Sequence, residues 1–240
     1  MVRIEKLAQP TLPKVKMNCD DVIDKRLLEF PMVEDCFSRT SFNVIVGKMG
    51  SGKTSLITNF TKKIFRKCFH NIYVFIPHNS RASIDNDIYG KNLPDENLFD
   101  SLTAEDLLDV YERIQESSSE GEFSMLIIDD FQAQLKDPAI IKILQKIITK
   151  MRHLRTTIFL LQQNFQALVK PLRELITNLI TFNVGKSQLN KIFDEVITMD
   201  KSKYQDLIDL AFTEKNDWIC VNVNGSRNIY KQFDKIILDE

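Results

Sequence analysis

An α/β fold with a mostly parallel central sheet, flanking helices and a C-terminal β-hairpin is predicted by three features of the sequence. Short apolar runs alternate with stretches of helical period: 42–46, then 55–65 with apolar residues at 56, 57, 60 and 64, then 71–77. Two further apolar runs, 126–128 and 158–161, end in carboxylates and in amides, as inner strands do at the sheet edge where ligands bind. Asn224-Gly225 stands between the β runs 218–223 and 228–231, which signals a hairpin.

A chain of 240 residues suits one domain, read here as an N-terminal arm over 1–38 and a main domain over 39–240. The arm carries Pro10, Pro13 and Pro31 and a short helical patch over 22–30. No apolar run reaches the ~18 residues of a membrane span, and the N-terminus lacks the apolar core of a secretory signal. Cys19, Cys36, Cys68 and Cys220 lack C-x-x-C spacing, which argues against zinc and against a disulfide framework and favours a reducing compartment. Net charge is −1, but it is segregated: 85–130 holds fourteen acids against two bases, and 138–192 holds nine Lys/Arg against Glu174 alone. Such a division suits a protein with one face turned to a polyanion, and equally suits ordinary solvated faces.

Taken in order, the first strand leads into Gly47-Lys48-Met49-Gly50-Ser51-Gly52-Lys53-Thr54, which fits G-x-x-x-x-G-K-[ST] at every fixed position. Glycines let successive N–H groups turn inward on phosphate oxygens, and the following helix adds partial positive charge at its N-terminus. These eight residues and Ser55 are the expected nucleotide contacts, with Lys53 reaching the β- and γ-phosphates and Thr54 a ligand of Mg²⁺. The strand 71–77 follows, then a polar, acidic excursion over 78–103. A helix over 104–116 is capped by Thr103, with Asp106 in its first turn, and 117–121 reads as a loop. The strand 123–130 ends in Asp129 and Asp130. Asp129 is placed to hold Mg²⁺ through water opposite Thr54, and Asp130 to orient the attacking water or take its proton. Asp137-Pro138 opens a helix to about Met151 with Lys142, Lys146 and Lys150 along one face. The strand 156–164 ends in Gln162, Gln163 and Asn164; Gln163 is the first choice for sensing the γ-phosphate, Gln162 the second. A strand over 175–182, helices over 187–196 and 202–213, and the hairpin complete the chain. Trp218 is read as packing rather than as a base-stacking platform.

With these motifs in that order, the chain resembles the additional-strand, RecA-like class of P-loop NTPases. More narrowly it resembles the viral genome-packaging ATPases of the FtsK/HerA superfamily, found in large DNA viruses and virophages. The resemblance spans about 40 to 235 and rests on the phosphate loop, on Leu126-Ile127-Ile128-Asp129-Asp130-Phe131, on Arg152-His153, and on Gln163-Asn164-Phe165 with Leu168, Leu172-Arg173 and Asn178. Asp130 stands where the superfamily commonly has glutamate, and proline is at 171 rather than near 169. The resemblance implies ATP with Mg²⁺, catalysis by Lys53, Asp130, Gln163 and Arg173, and a homo-oligomeric ring of five or six subunits around double-stranded DNA. It also implies partners at the capsid or portal vertex, and a place at the viral assembly site in the host cytoplasm or on the virion. An arginine from the neighbouring subunit, Arg173, Arg152 or Arg155, would complete the site. Two other readings stand beside it. A P-loop kinase for a small metabolite needs an arginine-bearing lid, for which 78–103 offers Arg81. A nucleotide-binding switch or scaffold needs a base-reading N-K-x-D or T-K-x-D pattern, which the sequence lacks.

Overall fold

The computed structural model describes residues 2–5, 31–65, 67–82, 93–197 and 199–238. Among them, ten strands form one sheet: β1 Val2–Glu5, β2 Phe42–Val46, β3 Asn71–Phe75, β4 Leu98–Phe99, β5 Ser124–Asp129, β6 Thr156–Gln162, β7 Asn178–Phe182, β8 Trp218–Asn222, β9 Ile229–Lys231 and β10 Asp234–Leu238. Their spatial order is β1-β10-β9-β8-β7-β2-β6-β5-β3-β4. From β7 to β4 every pairing is parallel, and from β8 to β1 every pairing is antiparallel.

The inner strands β2, β5, β6 and β7 are buried along their whole length. That is why they read as unbroken apolar runs: helices cover both faces of a parallel sheet. Alternate residues feed two cores. Val44, Val46, Leu126 and Ile128 pack with Leu107, Val110, Ile114, Ile140, Leu144 and Ile147 on one face. Ile45, Ile127, Phe159 and Leu161 pack with Ile57, Phe60 and Ile64 on the other.

The glutamine-tipped β6 lies between the phosphate-loop strand β2 and the carboxylate-tipped β5, the arrangement that the resemblance implies. Consequently β2 and β3 are parallel but not neighbours, because β6 and β5 are inserted between them.

Several boundaries differ from the sequence reading. The helix α4, Ala104–Ser119, runs through the serines expected to form a loop. Ser118 and Ser119 donate their hydroxyls back to the carbonyls of Gln115 (2.8 Å) and Glu116 (2.6 Å), so they stay in the last turn until Gly121 at φ +86°. Its start is as expected, with Thr103 Oγ1 accepting from Asp106 N at 3.0 Å. The strand expected from 175 begins at Asn178, because Leu175 and Ile176 still bond backward to Leu172 and Arg173. Asn224-Gly225 does not make a two-residue turn. Asn222 Oδ1 accepts from Gly225 N at 2.7 Å and Asn224 Nδ2 donates to Ile176 O at 2.9 Å, which opens the β8–β9 connection into a longer loop. Strand β10 was not foreseen, and it turns the hairpin into a meander. The excursion 78–103 contributes the short helix α3, His78–Ala82, and the edge strand β4; its middle lies outside the described residues.

Of the expected arm, Val2–Glu5 adds the edge strand β1, and the helix α1, Pro31–Cys36, leads into the core. The helical patch expected over 22–30 lies outside the described residues. Phe37, 1% exposed, packs edge-on against Phe60 at 5.3 Å and Phe65 at 5.5 Å between ring centroids. Phe37→Ala is therefore expected to cost about 3–5 kcal/mol of stability, read by urea denaturation, as truncating a buried aromatic does. A loss under about 1 kcal/mol would mean that this segment is dispensable to the core. Trp218 is packing, as read: it is buried edge-on against Phe60 and Phe233.

Candidate active site

The C-terminal ends of β2, β5 and β6 converge on a cleft of about 760 Å³. Glycine is required at the loop that closes it. Gly50 and Gly52 sit at φ +72° and +99°, and a Cβ on Gly47 would stand 2.3 Å from Ser51 Oγ and 3.0 Å from the Phe182 ring. Helix α2, Lys53–Asn59, starts directly after Gly52, and no side chain caps it, so its first N–H groups face the loop. Gly47 N donates to Gln162 O at 3.0 Å, which fastens the root of the loop to the end of β6.

Lys53 is buried, and its Nζ donates to the carbonyls of Gly47 (2.7 Å) and Lys48 (3.2 Å). Burial pulls its amine below the usual lysine range, while the nearby Asp129 and Asp130 push it back up. Thr54 Oγ1 donates to Asp129 Oδ2 at 2.7 Å. Asp129 is 4% exposed, and burial raises its carboxyl pKa against the opposing pull of Thr54 and Lys53.

Asp130 follows the strand in the left-handed region at φ +63°, a conformation that aspartate tolerates better than most residues. Its carboxylate accepts from Gln163 Nε2 at 2.8 Å. Two strand tips are thus joined across the cleft floor. Gln162 is buried and does not line the cleft, which leaves Gln163 as the glutamine in reach.

Of the expected loop contacts, Met49, Gly50, Gly52, Lys53, Thr54 and Ser55 line this cleft. Lys48 and Ser51 face a second hollow beyond the loop, with Phe182, Asn183 and residues 214–217. Thr58, Asn59, Lys62, Asn79 and Ser80 also line the first cleft and were not foreseen. Thr58, in α2, and Lys62, in the π-helical turn Phe60–Ile64 that continues it, follow Thr54 at four-residue steps, a spacing that the sequence displays. Asn79 and Ser80 follow β3 at the same sheet edge, where parallel strand ends gather polar residues.

Arg173 is not in the cleft. Its guanidinium donates to Glu195 Oε2 (2.8 Å) and to Leu168 O (2.5 Å) and lies over the Phe165 ring. Arg152 and Arg155 precede β6, at the sheet edge opposite the phosphate loop, where Arg155 O accepts from Ser124 N.

Among the described residues no group of three or more His, Cys, Asp or Glu could hold a metal ion. The adjacent Thr54 hydroxyl and Asp129 carboxylate nonetheless suit Mg²⁺, which takes one or two hard oxygen ligands from a protein and the rest from phosphate and water. No helix among the described residues is long and apolar enough to cross a membrane.

Comparison with known proteins gives two positive findings. Residues 33–240 match the family described as Poxvirus A32 protein. Among solved structures, the chain is similar to the genome packaging NTPase B204 from Sulfolobus turreted icosahedral virus 2 in complex with AMPPCP, at TM-score 0.61 and 17% identity over 84% of this chain and 100% of that one. It is likewise similar to B204, the DNA-packaging ATPase from Sulfolobus turreted icosahedral virus, at TM-score 0.58 and 18% identity over 80% of this chain and 96% of that one. EssC (ATPases 2 and 3) from Geobacillus thermodenitrificans follows at TM-score 0.52 and 12% identity, over 82% of this chain and 39% of that one. At these identities the structures speak for the fold. A search of curated proteins finds no match to the chain.

Proposed function

Because this chain belongs to the Poxvirus A32 protein family, we propose that it is the ATP-hydrolysing motor that moves viral double-stranded DNA into capsids. The observation that carries the chemistry is the Gln163–Asp130 hydrogen bond at the floor of a cleft that also holds Lys53, Thr54 and Asp129. A carboxylate held in place beside the phosphate loop can accept a proton from water. The water oxygen then attacks the γ-phosphorus, the bond to the β,γ-bridging oxygen breaks, and ADP leaves. Lys53 exchanges the Gly47 and Lys48 carbonyls for the β- and γ-phosphate oxygens. Gln163 reports the loss of the γ-phosphate by changing its hold on Asp130. Thr54 and Asp129 would hold Mg²⁺, which neutralises charge on the β- and γ-phosphates when bound.

The fold of B204, a genome packaging NTPase solved with AMPPCP, supports this reading. Among the described residues no arginine lines the cleft: Arg173 is held by Glu195 and the other two candidates lie at the far edge. A ring neighbour supplies one, with Arg173, Arg152 and Arg155 as the candidates. Mixing Lys53→Ala subunits with Arg173→Ala subunits is expected to restore part of the turnover that each lacks alone. No recovery with Arg173 or with either alternative would contradict a shared site. Translocation itself is tested by ATP-dependent displacement of a triplex-forming strand from double-stranded DNA. Displacement is expected with ATP and absent with a non-hydrolysable analogue; hydrolysis without displacement would contradict the motor reading.

A further inference from the structure

A third hollow, of about 450 Å³, opens beside the active site. It is lined by Asn164, Gln166, Ser187, Gln188, Lys186 and Lys191 among others, and none of the described residues lining it is acidic. Lys186 and Lys191 are exposed, on the helix Lys186–Val196 that follows β7. Gly185 before them sits at φ +98°, a conformation reserved for glycine. A Cβ there would stand 3.8 Å from Lys48 Nζ, so a third ammonium lies next to Gly185, on the side of the second hollow. The hollow thus combines lysines with the side-chain amides of Asn164 and Gln188.

One of its lining residues, Asn164, directly follows Gln163 of the active-site cleft. Gln163 bonds Asp130, and the next residue, Asn164, accepts from Gln166 N at 2.9 Å through Oδ1, which folds the one-turn helix Phe165–Ala167. Gln166 Nε2 donates to Glu195 Oε1 at 2.9 Å, on the far end of the lysine-bearing helix, and the same Glu195 holds Arg173. Four consecutive residues therefore reach from the catalytic carboxylate to the lysine-lined hollow.

We propose that this hollow is where the motor grips the phosphodiester backbone of double-stranded DNA, and that the segment 163–166 couples the grip to the state of the nucleotide. The inference rests on the motor reading above. Lysine and amide donors suit a phosphate track whose sequence must not matter. When the γ-phosphate departs and Gln163 shifts, Asn164 and Gln166 move with it, and the lysine hollow opens or closes on the phosphates. A free phosphate ion would not engage several such donors at once along a path.

The test uses the full chain and a fluorescent DNA duplex. For the double variant Lys186→Glu, Lys191→Glu, turnover without DNA is expected to be unchanged. Duplex affinity at low salt is expected to fall by about 10-fold or more, and the slope of log K against log salt to shrink by about two, as the loss of two phosphate contacts requires. Unchanged affinity and slope, in a preparation whose wild type binds duplex, overturn the placement. A wild type that hydrolyses ATP but ignores duplex overturns the motor reading instead, and this inference with it. Gln166→Ala separates grip from coupling: at saturating DNA its stimulated turnover is expected to fall by about 2-fold or more. Wild-type stimulation in that variant overturns the coupling while leaving the contact in place.

Discussion

Replacing Lys53 with alanine is expected to lower ATP turnover by about 10²–10³-fold, the usual cost of removing one preorganised donor from a developing negative charge. The fold is expected to survive. Lys53 is held by two backbone carbonyls rather than by an ion pair, and burial disfavours its charge. Its native pKa lies below that of an exposed lysine, so the native state carries a penalty below that pKa and sheds it as pH rises through it. Lys53→Met, which keeps the stem and removes the charge, should therefore melt no lower than wild type while losing turnover equally. Turnover near wild type in either variant would mean that the phosphates are held elsewhere.

Asp130→Asn is expected to lower turnover by about 10²–10⁴-fold, the range for a lost general base, with ATP affinity changed by only a few-fold. The substitution is chosen for geometry. Asparagine tolerates the left-handed conformation at φ +63°, and its carbonyl oxygen can still accept from Gln163. What it lacks is the basicity to take a proton from water. Equilibrium binding of a fluorescent ATP analogue, set beside single-turnover hydrolysis, separates the two effects. Loss of binding with the rate per bound nucleotide preserved would make Asp130 a binding residue and move the base elsewhere.

The grouping of the candidate site residues was legible because the parts are local. The phosphate loop is a contiguous motif, and each other contributor follows an apolar run whose burial forces it into the sheet, so chemistry and strand end coincide at Asp129, Asp130 and Gln163. The order of the strands was not legible from periodicity. That β6 separates β5 from β2 is a long-range pairing, and the family pattern around Gln163 and Arg173 supplied it. The reading failed where side chains compete with the backbone: Ser118 and Ser119 prolong α4, and Asn222 and Asn224 dismantle the turn that Asn-Gly announces. Strand β10 and its pairing with Val2–Glu5 join the two ends of the chain, and no window of sequence contains both. The partner of Arg173 was equally hidden, since Glu195 arrives from a helix two elements later.

The measurement that bears most directly on the whole account is ATP turnover with and without double-stranded DNA, repeated across salt concentrations. The expected result is ADP and inorganic phosphate in equal amounts, with turnover stimulated by DNA and the stimulation fading as salt displaces the phosphate contacts. Turnover indifferent to DNA at every salt concentration, with phosphate transferred to a small acceptor, would contradict the account and leave a kinase in its place.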